Sequence, residues 1–499
     1  MRKIRGMLQD KSYNQFEKNK VRHISISNAV DMLTTKRYEA GCVRKDYVRK
    51  IYDYYTITTD ESNSNSEAKK IDTSYIREWE KMYDSCVGVK KAEELVVCYL
   101  CGPEPRNDFE EFITKGVLPQ NIWAFELDAG AYRKALDSFE NSIYPQPRII
   151  KQNIESFMKD TPKQFDIIYI DACGSIPSSK HALRCITSIC KNQRLVSPGI
   201  IISNFTEPDD NQVDEYLELV SLYSYCKRNA VSDMGFWEGE AYKTHKEEVK
   251  NNFYDYYGDF ISSVLRDIPA VVVPLQRLSA STYLKKLFKT SNLSNSDTEY
   301  LKKSGKHAFA NFVMIVENLR KNGIVNKKIE DFFKEFDGIE GVINGIKMLL
   351  EIGEIEQFEN STLNCLKKMF DNNEVYQFCD KAHFNMIYDI IINQITYPYH
   401  NVVDNNIRLL YTAKRKRMYT DLTVYDECRY IYEWIPAVDQ IYGAFQNRSW
   451  QYVFRFGMDG LIKQRGNYNN EFFYQGSVVS NKIEGFSQKV MKNRERIEG

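Results

Sequence analysis

Short apolar runs recurring between residues 94 and 205 constrain the fold of this 499-residue chain more than any other feature. They read ELVVCYL (94–100), NIWAFEL (121–127), RIIKQNI (148–154), FDIIYID (165–171) and GIIISNF (199–205). Segments of helix length separate them, at Asp108–Lys115, Ala129–Phe139, Ile154–Lys159 and Ser178–Cys190. A strand with one wet face alternates apolar and polar residues, whereas a run apolar at successive positions needs cover on both faces. Such strands alternating with helices predict an α/β fold with a mostly parallel sheet and helices on both faces. In a sheet of that kind the ligand crevice opens at the carboxyl ends of the strands.

The flanking regions read differently. Residues 1–90 are read as a basic, helical N-terminal extension, with Val30, Met32, Leu33 and Tyr38 at helical spacing and a polar linker near 58–70 (TTDESNSNSEAKK). The α/β region is taken as 91–320. Within it, QVDEYLELVSLYSYC (212–226) is a helix with Val213, Tyr216, Leu217 and Val220 on one face. IPAVVVPL (268–275) and ANFVMIV (310–316) look like further strands at an antiparallel edge, joined by a loop at 289–300. From about 325 the spacing turns helical. Gly341 and Gly353 bracket VINGIKMLLEI, and Val424, Cys428, Ile431 and Ile435 repeat a helical stripe. Residues 321–499 are therefore expected to be a mainly α-helical C-terminal module, irregular after 465.

A formal net charge of zero gives no global field toward nucleic acid or membrane, although residues 1–50 are locally basic. No apolar stretch approaches a bilayer span, and Met1–Asp10 has no apolar core of a signal peptide. The eleven cysteines have no regular spacing, which predicts reduced thiols and a cytoplasmic location. Cys98 and Cys101 form a CxxC on an apolar run and read as buried strand thiols. No second CxxC or neighbouring histidine completes a metal site, and no two of the six histidines stand at ligand spacing.

The first strand ends in Cys101-Gly102-Pro103-Glu104-Pro105, and the second ends at Glu126, about two dozen residues after Gly102. That separation suits an acid reaching a ribose diol, because one carboxylate accepts from two adjacent hydroxyls. A pyrophosphate needs closely approaching backbone amides, hence GxGxxG, and a Walker loop needs GxxxxGK[ST]; neither occurs. A ligand with adenosine but no phosphate, such as S-adenosylmethionine, fits the single glycine better. Glu104 and Asp108 are candidate acceptors for its ammonium.

In order and spacing, VVCYLCGPE, AFELD, KQNIESF, FDIIYIDAC and GIIISNF resemble the class I (Rossmann-like) S-adenosylmethionine-dependent methyltransferases over about 95–205. The resemblance implies S-adenosyl-L-methionine as cofactor, methyl transfer as the activity, and a Rossmann-like sheet. It implies cofactor contacts from Gly102, Pro103, Glu104, Glu126, Leu127, Asn153, Ile154 and Asp171. Gly102 stands for the central glycine of the first motif, Glu126 for the ribose acid and Asn153 for the adenine contact. Cys98, Leu100 and Glu104 stand where the family has an acid and two glycines.

Asp171 at the fourth strand's tip is the expected acceptor-side residue, as orienter or general base, with Asn204 at the fifth strand's tip beside it. DACGSIP (171–177) lacks the D/N-P-P-Y/F tetrad of amino-directed nucleic-acid methyltransferases, and Cys173 reads as an adjacent thiol rather than a nucleophile. The methyl acceptor is not specified by the sequence. Lys414, Arg415, Lys416 and Arg417, flanked by Tyr411 and Tyr419, read first as a solvated helix face. With the basic N-terminal arm they are also the candidate contact for nucleic acid. Two alternatives to a methyltransferase are an inactive sensor or scaffold of the same fold and a nucleic-acid-binding or modifying protein.

Overall fold

Among the residues described by the computed structural model, nine strands form one mixed sheet. Those residues are 15–58, 68–140, 142–144, 148–172, 174–178, 181–228, 240–280, 326–336, 338–352, 396–435, 440, 443–444, 446–464, 478–480 and 482–498. The strands are β1 Val97–Leu100, β2 Ile122–Phe125, β3 Arg148–Ile150, β4 Phe165–Asp171, β5 Leu195–Thr206, β6 His400–Asn401, β7 Ile407–Ala413, β8 Lys416–Asp426 and β9 Glu495–Arg496. Their order is β3-β2-β1-β4-β5-β8-β7-β9, with β6 paired to β8. Strands β1 to β5 run parallel, β8 lies antiparallel between β5 and β7, and β9 is parallel to β7. The fold is α/β, with a mostly parallel sheet.

The chain winds outward from β1 through β2 to β3, then returns to place β4 on the other side of β1. That reversal is the topological switch point, and loops leaving β1 and β4 diverge there to open a crevice. The helices that bear on it are α1 Phe16–Leu33, α2 Arg106–Thr114, α3 Ala129–Asp137, α4 Ile154–Asp160, α5 Ala182–Lys191, α6 Val213–Arg228, α7 Phe253–Asp267, α8 Lys327–Glu335 and α9 Arg448–Gln464.

Successive β4 residues enter two cores. Ile168 and Ile170 pack with residues of α5, α6, α7 and α8 on one face; Ile167 and Tyr169 pack with residues of α1, α2, α9 and helix Thr73–Val87 on the other. Full burial of each such side chain contributes about 1.5–3 kcal/mol, which is why a run apolar at every position settles at the sheet centre. The same alternation separates the CxxC. Cys98 points into the first core and Cys101 into the second, and both are free thiols.

Three expectations differ from the structure. The antiparallel strands come not from 268–275 but from 407–426, inside the segment expected to be helical. IPAVVVPL is instead a π-helical turn, Ile268–Val272, followed by helix Val273–Ala280. A short apolar run buried all round has no periodicity to separate helix from strand, and Pro269 and Pro274 each remove a donor that a central strand would need. In β8, Val424 shares its apparent helical stripe with Cys428, which lies beyond the strand's end. Pairing with β5 from Gly199↔Tyr425 to Thr206↔Met418 overrides that local pattern. The polar residues of β8 are buried in bonds: Asp421 pairs with Arg494 at 2.5 Å, and Thr420 donates to Asn204 at 2.9 Å.

The basic run is therefore a hairpin turn and the start of β8, not a helix face. Ala413 pairs with Lys416, leaving Lys414 (φ 50°) and Arg415 (φ 67°) as a two-residue loop, both left-handed as in a type I′ turn. The expected strand at 310–316, the loop at 289–300, the centre of the linker and the irregular stretch 465–477 lie outside the described residues, whereas the end of the tail adds β9 to the sheet. No helix among the described residues is long and apolar enough to cross a membrane.

Left-handed backbone costs a side-chain-bearing residue about 1–2 kcal/mol, a penalty glycine escapes. Arg415→Gly is therefore expected to raise the thermal or urea midpoint, by about 1 kcal/mol of stability. A lowered midpoint would contradict the turn assignment.

Candidate functional site

The carboxyl ends of β1 to β5 line a crevice of about 1100 Å³. Each wall comes from a strand-to-helix connection: 101–108 after β1, 126–131 after β2, 152–155 after β3, 171–182 after β4 and 206–209 after β5. Lys18 and Arg22 of α1 close one side and Lys416 reaches in from the hairpin.

The β1 loop turns at Gly102, whose φ of +56° favours glycine, and a Cβ built there meets nothing within 4 Å. The loop is fixed below by the Tyr99 hydroxyl, which donates to the Pro105 carbonyl at 2.8 Å, and by the Cys101 amide, which donates to the Phe125 carbonyl at 3.1 Å. Burial, reinforced by the nearby Glu126 charge, pushes the Cys101 thiol up to about 12, so it stays protonated. Glu126 is half-buried at the end of β2, and its Oε1 accepts from the Asp128 amide at 2.7 Å. Asp128 caps α3 through the Ala131 amide at 2.8 Å, and Asn153 caps α4 through the Glu155 amide at 2.7 Å. Leu127 is exposed at the rim.

The remaining charges around the crevice are largely matched. Lys18 Nζ lies 2.6 Å from Asp171 Oδ2, and Arg22 Nε lies 2.7 Å from Asp108 Oδ1. Glu155 pairs with Arg184 at 3.0 Å and Lys159 at 2.9 Å, Glu207 with Arg417 at 3.0 Å, and Asp209 with Lys416. Glu104, which accepts from the Asn107 amide group at 3.1 Å, has no cation partner among the described residues, and neither do Glu126 and Asp128. Unmatched negative charge is thus concentrated at the β1 and β2 ends.

Gly102, Pro103, Glu104, Glu126, Leu127, Asn153, Ile154 and Asp171 all line this one crevice. Asn204 does not. It is buried behind Asp171, donating to Asp171 Oδ1 at 2.8 Å and to the Tyr411 hydroxyl at 3.0 Å while accepting from Thr420 at 2.9 Å. It orients the carboxylate from β5 rather than facing a ligand. Asp108 lines the crevice too, but it is buried against Arg22, where burial pushes its carboxyl up and the guanidinium pulls the other way. It is not an acceptor open to an ammonium. Cys173 lies outside the described residues.

Sequence reasoning missed Lys18 and Arg22. They stand four apart on α1 with Val21 and Ser25 buried beside them, a spacing that brings both side chains to one face. Basic residues on the buried side of a helix are the signal, although nothing in the sequence names their partners. His181, immediately before α5, is another residue that the sequence does not mark out. It lines the crevice at φ 53°, and its buried Nδ1 has no partner among the described residues.

Away from the crevice, Cys42, Asp426 and Cys428 bring one ligand atom each within 4.8 Å of one another. Asp426 already accepts from the Cys42 amide (2.9 Å), the Tyr430 hydroxyl (2.7 Å), the Ser197 hydroxyl (3.0 Å) and the Cys428 amide (3.1 Å). A carboxylate with its lone pairs filled in this way is a structural clamp.

No family model matches the chain, and no curated protein matches it. Among solved structures, a candidate methylase from Haemophilus influenzae is 14% identical over 27% of this chain and 73% of that one, with a TM-score of 0.20. An S-adenosylmethionine-dependent methyltransferase from Clostridium acetobutylicum is 19% identical over 30% of this chain and 56% of that one, with a TM-score of 0.19. Likenesses this distant carry no weight for activity, and the fold stands on the strand order itself.

The wall after β4 is held from α8. Glu335, fully buried, accepts from the Ser178 amide at 2.5 Å through one oxygen and from the Leu183 amide through the other. Burial pushes its carboxyl up to about 7, against the pull of the two amides. An unfolded glutamate titrates near 4.3, so the folded chain retains the proton between those values. This contribution to stability is full below about pH 4 and lost as pH rises through about 7, up to about 3 kcal/mol. Thermal midpoints of the wild type are expected to fall over that window, with a flatter profile in Glu335→Gln. Parallel profiles would contradict the shift.

Proposed function

We propose that the chain is an S-adenosylmethionine-dependent methyltransferase, with the crevice at the ends of β1 to β4 as cofactor site. The observation that carries this reading is Glu126: a half-buried carboxylate without a cation partner among the described residues, at the end of β2 and across from the Gly102 turn. One oxygen accepts from the Asp128 amide, and the other is left to accept from a ribose diol.

The residues fit the group in three further respects. The open space over Gly102 admits a ligand without a phosphate cradle. Glu104 and Asp128 add acceptors for an ammonium. Asn153, its oxygen committed to the α4 cap, retains its amide N–H groups for an adenine edge. When bound, S-adenosylmethionine supplies an electrophilic methyl on a sulfonium. The protein's part is then to hold donor and acceptor in line, which proximity alone makes worth several kcal/mol. Asp171, oriented by Asn204 and Lys18, faces the acceptor side, with His181 on the same wall.

A non-catalytic binder of the same ligand is the second reading, favoured because both oxygens of Asp171 are already engaged. Of the basic run named for a nucleic-acid contact, Lys416 and Arg417 are paired with Asp209 and Glu207.

Calorimetric titration tests the proposal. S-adenosylhomocysteine is expected to bind the wild type, and Glu126→Ala is expected to weaken it at least tenfold with the fold intact. Wild-type protein that binds neither S-adenosylhomocysteine nor S-adenosylmethionine overturns the reading.

A further inference from the structure

Lys18 and Arg22 sit four residues apart on α1, and each neutralises a carboxylate on a different side of the switch point. Arg22 holds Asp108 beneath the β1 loop, and Lys18 holds Asp171 at the tip of β4. Both pairs are largely buried, with side-chain exposures of 9% and 14% for Lys18 and Asp171. Helix α1 is not a loose arm. Ile26, Ala29 and Leu33 are buried in a main core, and Val21 packs against Leu409, Tyr411, Met418 and Ile497. The cation at the β4 tip is therefore a fixed part of the crevice wall.

The charge at that tip matters for one specific distinction. S-adenosylmethionine and S-adenosylhomocysteine have the same adenosine and amino-acid ends and differ by one methyl and one unit of positive charge at sulfur. A bare carboxylate on the crevice wall favours the sulfonium, a bare ammonium disfavours it, and a matched pair treats both alike. We propose that Lys18 is a specificity-setting residue: by neutralising Asp171 it fixes how strongly the crevice prefers a cationic sulfonium to the uncharged thioether. This rests on the function proposed above. A matched pair keeps the site from retaining the cofactor more tightly than the exchange of cofactor for product requires. It also leaves the preference for positive charge to Glu104, Glu126 and Asp128, at the other end of the crevice.

Several described groups beside Asp171 add no net charge. Asn204 and, behind it, Tyr411 and Thr420 are neutral; Tyr169 is a buried phenol held protonated; and Asp108 and Arg22 cancel as a pair. At an effective dielectric near 20, one uncompensated charge about 12 Å away is worth about a tenfold change in affinity, and a closer one more.

The experiment is a double-mutant cycle read as the ratio of dissociation constants, S-adenosylhomocysteine over S-adenosylmethionine, at pH 8 with the full chain. Lys18→Met is expected to raise the ratio about tenfold and Asp171→Asn to lower it by a similar factor. The double variant, which removes both charges and guards against misfolding from a lone buried charge, is expected to return it to the wild-type value. A merely structural role weakens both ligands together and leaves the ratio fixed. If the wild type binds but neither single variant moves the ratio more than twofold, this inference falls while the proposed function stands. If the wild type binds neither ligand, both fall.

Discussion

Two ion pairs one helical turn apart, Lys18 with Asp171 and Arg22 with Asp108, join the N-terminal helix to the tip of β4 and to the first turn of α2, between which the crevice opens. Most of what the site can do depends on them. A buried carboxylate without a partner takes up a proton or drives local rearrangement, and losing one member of such a pair typically costs about 3–5 kcal/mol. With α1 in place, Asp108 stays under the β1 loop and Asp171 stays at the crevice wall. The sheet alone creates the crevice, but the helix decides which of its carboxylates remain available to a ligand.

The rest of the architecture serves the same geometry from a distance. Helices from the two ends of the chain, including α1 and α9, cover one face of the sheet, and helices from its middle cover the other. Strand β8 supplies both the antiparallel neighbour of β5 and Thr420, which holds Asn204, which in turn holds Asp171. Further along the same wall, Glu335 of α8 fixes the connection after β4 at Ser178 and Leu183. Segments more than 150 residues apart thus converge on one loop, and the crevice is a property of the whole sheet and its covering helices.

How much of this was legible follows from physics at particular residues. Strands β1 to β5 announced themselves because residues such as Ile167 to Ile170 must be covered on both faces, a pattern no exposed element tolerates. Gly102, Glu126 and Asn153 were legible as strand-end residues, because a parallel sheet fixes which ends face the ligand. The β7–β8 hairpin was not. Its turn is Lys414-Arg415, without the glycine or asparagine that marks such turns, and its buried Asp421 and Thr423 imitate a polar surface. The run 268–275 failed for the opposite reason, since uniform apolarity carries no period. Lys18 and Arg22 looked like part of a basic arm because their partners lie 153 and 86 residues away in sequence, and no local pattern encodes such pairing.

The central claim is that the switch-point crevice holds an adenosine ligand whose sulfur approaches the Lys18–Asp171 pair. A crystal structure of the full chain with S-adenosylhomocysteine tests it most directly. The expected result places the ribose diol on Glu126, the adenine beside Asn153 and the sulfur facing the tip of β4. A ligand bound elsewhere, or bound with Glu126 turned away from the ribose, would contradict it.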